Sequence, residues 1–174
     1  MKVLGIDPGS TTVGYGVVER APYRSAGGGG NGVPARLVEC GVLRSAARLP
    51  LQQRLAHIHD GLRELIDRHQ PDVLAVENIF YAANMRTTMV LGHARGVILL
   101  AGAQAGLALA EYSPAVVKKT VVGRGGALKP QVAYMVAKLL QLRTAPEPAD
   151  AADAVAVALT HVLTHGRNGS LRRL

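Results

Sequence analysis

The stretch KVLGIDPGSTTVGYGVVE, residues 2–19, decides the fold. KVLGID at 2–7 is a short apolar run ending in an acid, the pattern of a buried β-strand. PGST is turn chemistry, and VGYGVVE at 13–19 reads as a second strand. The segment APYRSAGGGGNGVPA cannot hold regular structure and predicts a flexible hairpin tip at about 25–33. ARLVECGVLRS at 35–45 resumes the strand pattern. Three strands joined in this way predict an antiparallel meander.

Farther along, Leu51, Leu55, Ile58, Leu62 and Leu65 recur at steps of four, three, four and three. That is one face of an amphipathic helix, opened by Pro50 and closed by Pro71. DVLAVE at 72–77 is another apolar strand ending in an acid, and 86–106 reads as a Gly- and Ala-rich helix. LALAEYS at 107–113 is a fifth strand; the remainder is helical, with a basic glycine loop at 123–129. The order predicts one α/β domain over 1–166, a five-stranded mixed sheet flanked by helices, and a disordered basic tail at 167–174.

The 174 residues are 48% apolar, enough for one sizeable core and too rich for disorder. Twenty Lys and Arg against 12 Asp and Glu leave a formal charge of +8, which favours a polyanionic partner through phosphate neutralisation. Cys40 is the only cysteine, so there is neither a disulfide framework nor a cysteine-based zinc site. VLGI before Asp7 is too short for a signal-peptide core, and the most apolar run, 96–110, is 15 residues long. A membrane span needs roughly 20. A cytoplasmic, soluble protein is expected.

Four acids stand out. Asp7 and Glu77 each end an apolar strand, where reactive groups of α/β sheets gather. The competing readings are a turn former for Asp7, before Pro8 and Gly9, and an edge residue for Glu77, each the lesser of the two. Asp150 and Asp153 open DAADAVAVALTHV, a run so apolar that its helix must be buried on most sides. Asp150 suits an N-cap and Asp153 the positive end of the helix dipole. Yet the i, i+3 spacing puts both carboxylates on one face, where they repel unless a cation lies between them. A divalent ion resolves that conflict: Asp7, Glu77, Asp150 and Asp153 offer hard oxygen ligands for one or two Mg²⁺ or Mn²⁺ ions. Two such ions can clamp the attacking and leaving oxygens of a phosphoryl displacement.

With these acids in this strand and helix order, the chain resembles the RuvC family, bacterial endonucleases that resolve Holliday junctions on a ribonuclease H-like fold. GIDPGSTTVGYGVV, AVENIFYAAN, LGHARGVILLA, VKKTVVGRGGALKPQV and ADAADAVAVALTH carry the resemblance, in order, over most of 1–165. It implies that Asp7, Glu77, Asp150 and Asp153 are the catalytic metal set. It implies that Lys118 and Lys129 contact the DNA backbone and that Phe80 engages bases at the branch point. It further implies a homodimer that nicks two strands of like polarity symmetrically and works with a RuvA–RuvB branch-migration machine. Lys119 doubles Lys118, which leaves the phosphate contact open by one position.

The residues themselves agree with a nucleic-acid surface. Phe80 and Tyr81 follow Glu77 by three and four residues, where an aromatic either joins the core or stacks on exposed bases. In VKKTVVGRGGALKP the glycines let backbone amides approach phosphates, while Lys118, Lys119, Arg124 and Lys129 supply charge. Pro130 predicts a helix start there, whose N-terminus also favours phosphate. Gly92, Ala94, Gly96, Ala101, Gly102, Ala105 and Gly106 permit close helix packing, either within the domain or across a twofold dimer interface. His161 and His165 lack a third ligand and read as a solvated face. Two competing functions are an ATPase of the actin or sugar-kinase type, whose phosphate loop resembles GIDPGST, and a noncatalytic DNA-binding module. The first needs a second lobe and loop; the second predicts erosion of the acids, and all four are present.

Overall fold

The computed structural model describes residues 1–20, 35–78 and 85–165. The glycine-rich tip, the tail, Phe80 and Tyr81 lie outside these residues. Five strands form one sheet: β1 Lys2–Asp7, β2 Thr12–Arg20, β3 Ala35–Arg44, β4 Val73–Glu77 and β5 Ala108–Tyr112. Their spatial order is β3-β2-β1-β4-β5. β1–β2 and β2–β3 pair antiparallel, whereas β4 runs parallel to β1 and to β5. The predicted mixed sheet, a meander extended by two parallel strands, is what forms.

Five helices cover both faces: α1 Leu51–His69, α2 Met85–Gln104, α3 Pro114–Val122, α4 Lys129–Leu139 and α5 Ala149–His165. The strands alternate as a pleat requires. Leu4, Ile6, Leu74 and Val76 point into a core shared with α1 and α2. Val3, Val73, Ala75 and Tyr112 point into the opposite core with α3, α4 and α5. The same alternation carries Asp7 and Glu77 to the α5 side, two residues beyond Gly5 and Ala75.

The leucine stripe of α1 behaves as its spacing predicts, burying Ile58, Leu62 and Leu65. α5 is the central helix, with every residue from Ala151 to Val162 buried except Asp153. Its alanines and valines leave a slim cylinder that sits directly on β1 and β2. Glycine on those strands makes the approach feasible: a Cβ at Gly5 would stand 2.3 Å from the Ala154 carbonyl oxygen. At Gly14 the clash would be with the carbonyl of Asp150, at 2.0 Å. Hydrophobic burial drives the contact, and the two missing side chains set its depth.

One expectation fails here. His161 is 3% exposed, not solvated, because α5 is apolar all round and has no polar flank to offer. Its Nδ1 lies 2.7 Å from the Tyr112 hydroxyl, and its ring stacks on His165 at 4.1 Å. Burial, followed by the neighbouring His165, holds His161 down at about 4.

Candidate metal centre and nucleic-acid interface

β1 and β4 are adjacent and parallel, so their carboxyl ends deliver Asp7 and Glu77 side by side. The start of α5 is pressed on the β1–β2 hairpin, with Gly14 paired to Asp7, and that contact brings in Asp150 and Asp153. Carboxylate oxygens of Asp7, Asp150 and Asp153 all lie within 4.8 Å of one another. Glu77 lines the same cleft as Asp7 and Asp153, and the carboxyl groups of Glu77 and Asp7 interact. Residues 7, 77, 150 and 153 therefore converge on one spot. Asp150 lies within the first turn of α5, where its charge faces the helix dipole, two residues past the N-cap position it was expected to fill.

Like charges crowded in this way resist ionisation. Asp7 is pushed up to about 8, by burial first and then by Glu77, Asp153 and Asp150, with Lys129 opposing. Burial and Asp153 likewise raise Glu77. A set of hard oxygen donors held together against its own repulsion fits a divalent cation. The cluster offers oxygen donors alone and none of the nitrogen or sulfur donors that zinc and copper favour.

Asp7, Glu77 and Asp153 line a cleft of about 210 Å³ together with Val117, Val132 and Ala156. Two cations stand at its rim. Lys118, in α3, lines the cleft, while Lys119 is exposed and outside it. Lys129 reaches Asp153, Nζ to Oδ2 2.6 Å, and this hydrogen bond raises its pKa. The pairing spans 24 residues, and nothing in the local sequence announces it. α4 begins at Lys129 with Pro130 in its first turn, as the sequence predicts. Gln131 accepts from the Leu128 N–H at 3.0 Å and from Arg124 at 2.9 Å, tying the glycine loop to the helix start. Its position three residues after Leu128 is the signal that could have revealed this role.

Beyond the acids, Asn78 leaves β4 with its N–H on the Tyr112 carbonyl at 2.8 Å. Arg95 of α2 binds Glu111 and also reaches Asn78 Oδ1 at 3.4 Å. These contacts hold Asn78 at the end of β4.

The family model for crossover junction endodeoxyribonuclease RuvC matches residues 3–161. The chain belongs to the RuvC family. A RuvC of Chloroflexus aggregans is 48% identical over 164 residues, 94% of this chain and 94% of that protein. The structure of Thermus thermophilus RuvC superposes with a TM-score of 0.84 at 36% identity, over 96% of each chain. A second T. thermophilus RuvC structure, in complex with Holliday junction substrate, gives 0.83 at 36% identity over 94% of each. RuvC relatives of this kind are named as nucleases, in keeping with the acid cluster and the cationic rim. Among the described residues no helix is long and apolar enough to cross a membrane.

Proposed function

We propose that this chain resolves four-way DNA junctions by divalent-metal-dependent hydrolysis, nicking two strands of like polarity at symmetric positions. The observation that carries the reading is the convergence of Asp7, Asp150 and Asp153 within 4.8 Å, with Glu77 beside them, under a rim formed by Lys118 and Lys129. A basic surface holds nucleic acid while a local acid cluster holds metal. Four carboxylates suit two Mg²⁺ or Mn²⁺ ions, which when bound would activate the attacking water and stabilise the leaving 3′ oxygen.

The chain's own residues do the rest. Asp7 and Glu77 are fixed by adjacent strand ends, and Asp150 and Asp153 by a buried helix, so the donor set is preorganised. Lys118, Lys129 and the N-terminus of α4 attract the phosphate; Lys119 and Arg124 add charge outside the cleft. Phe80 and Tyr81, three and four residues after Glu77, would engage bases at the branch point.

Two active sites are supplied by a homodimer with twofold symmetry matching the junction. The exposed face of α2 supports this. Met85 is 81% and Met89 59% exposed, and Cβ atoms at Gly92 or Gly96 would meet nothing within 4 Å. Met89, Gly92, Gly96 and Leu100 line a shallow groove open to a second copy. Family resemblance supports cooperation with RuvA–RuvB in the cytoplasm. The match over residues 3–161 and the intact acids favour this reading over an ATPase or a noncatalytic module.

The deciding experiment compares a mobile four-way junction with linear duplex, with Mg²⁺, with Mn²⁺ and without metal. Paired symmetric nicks in the junction alone are expected. Metal-independent cutting, or equal cutting of duplex, would overturn the proposal.

A further inference from the structure

Between Tyr112 and Pro146 the chain carries Lys118, Lys119, Arg124, Lys129, Lys138 and Arg143 and not a single acid. Lys118 and Lys129 line the cleft, and Lys119 and Arg124 lie outside it. Lys138 is on the opposite flank of α4, away from Asp153, and Arg143 follows the end of that helix. Both are exposed, and among the described residues neither is paired with an acid.

They border a groove of about 510 Å³ between the outer face of α4 and the segment 142–145. Pro130, Tyr134 and Lys138, spaced i, i+4 and i+8, form one wall. Leu142 and Arg143 stand on the other. Tyr134 is 59% exposed, unusual for so large a ring, and the Lys138 ammonium lies 5.6 Å from its centroid. Ala133 connects this groove to a second hollow against Ala149 and Ala152 at the start of α5. Glu147, the first acid after Glu111, lines only that second hollow.

Groove and cleft adjoin at the N-terminus of α4. Lys129 lines the cleft and Pro130, the next residue, lines the groove, so a strand crossing the N-terminus of α4 passes from one to the other. From Pro130 to Lys138 the helix advances eight residues, about 12 Å, which is three to four nucleotides at ~3.4 Å each. A cationic, acid-free wall with one exposed aromatic is complementary to a sugar–phosphate backbone.

We infer that this groove carries the DNA strand three to four nucleotides from the cut phosphate. Lys138 and Arg143 each neutralise one phosphate, and Tyr134 packs against the deoxyribose between them. The inference rests on the reading of the cleft as a DNA-cutting site and extends its footprint along one arm of the junction.

The test uses the full-length protein, synthetic four-way junctions and the double variant Lys138→Gln/Arg143→Gln. Loss of two phosphate contacts should flatten the slope of log binding constant against log salt by about 1.8, and weaken binding on the order of tenfold or more. Junctions bearing uncharged methylphosphonates at single positions locate the contact. Neutralising the third or fourth phosphate from the cut should weaken wild-type binding and leave the double variant indifferent. An unchanged salt slope overturns the inference. So does a double variant that loses dimerisation while its slope is retained, because the groove is then a protein contact. Wild-type protein that neither prefers nor cuts the junction would defeat the function proposed above instead. The same slope measured on plain duplex would still report on the groove.

Discussion

Gly14 and Asp150 are in backbone contact, so closely that a Cβ on the first would stand 2.0 Å from the carbonyl oxygen of the second. No side chain swings aside to relieve such a clash; the backbone must move. Gly14→Ala should therefore displace the start of α5 from β1 and spread the carboxylates. A shift on the order of 1 Å at a preorganised site costs about 100-fold in rate. Single-turnover cleavage should show that loss while circular dichroism retains the fold. Wild-type rates in a folded Gly14→Ala protein would show that the contact does not set the site.

Asp7 sets function against stability. Its carboxyl is held near 8, mainly by burial and then by Glu77, against an ordinary 3.8. Between those values the unfolded chain is ionised while the metal-free folded chain keeps its proton, so this group penalises folding increasingly as pH rises. Asp7→Asn should thus stabilise metal-free protein at pH 7 by about 1–3 kcal/mol, an advantage that fades below about pH 4. The same variant should bind junctions and cut none. Melting in EDTA at both pH values, beside a cleavage assay, checks both halves; a destabilised or active variant contradicts them.

Lys129 should show opposite effects on two ligands. Lys129→Met removes the phosphate contact proposed for it and should reduce the salt slope of junction binding by about 0.9. It also frees Asp153 from its internal counter-ion, 2.6 Å away, so Mn²⁺ binding without DNA should tighten. Calorimetric titration with Mn²⁺ decides the second point. Weaker Mn²⁺ binding would mean that the ammonium supports the cluster geometry more than it competes for it.

His161 predicts an acid-side loss of stability. It is held near 4 in the fold against an ordinary 6.5. As pH falls through that window the unfolded chain gains a proton that the folded chain refuses, so stability declines, by on the order of 2 kcal/mol. Urea midpoints at pH 7 and pH 4.5 should diverge less in His161→Phe than in wild type. Equal divergence would assign the acid sensitivity to other groups.

How much of this was legible in the sequence depends on whether the governing interaction was local. Strand alternation, the leucine stripe of α1 and the Pro130 helix start are periodicities or local steric rules, and each appears in the structure where the sequence places it. The four acids were legible because a carboxylate ending an apolar strand, or opening an apolar helix, violates the ordinary pattern. Gly5 and Gly14 were not, because a missing Cβ says nothing of what fills its place until α5 is seen there. The Lys129–Asp153 pair joins separate helices, and only packing reveals it. His161 was misread because spacing on a helix identifies no exposed face when every face is covered. Which of Lys118 and Lys119 lines the cleft depended on the direction of α3, which turns Lys118 inward.

The burial of α5 has a kinetic consequence. A surface helix can fray at its first turn without disturbing the rest of a protein, and a metal ligand carried there would come and go. Around Asp150 and Asp153 the flanking residues Ala151, Ala152 and Ala154 are fully enclosed, and the strands beneath are the centre of the sheet. Opening the site by that route means exposing core, so amide exchange at residues 151–158 should match the slowest in the protein. The ligand geometry then lasts as long as the fold does, and an enzyme waiting between rare junctions keeps its site assembled.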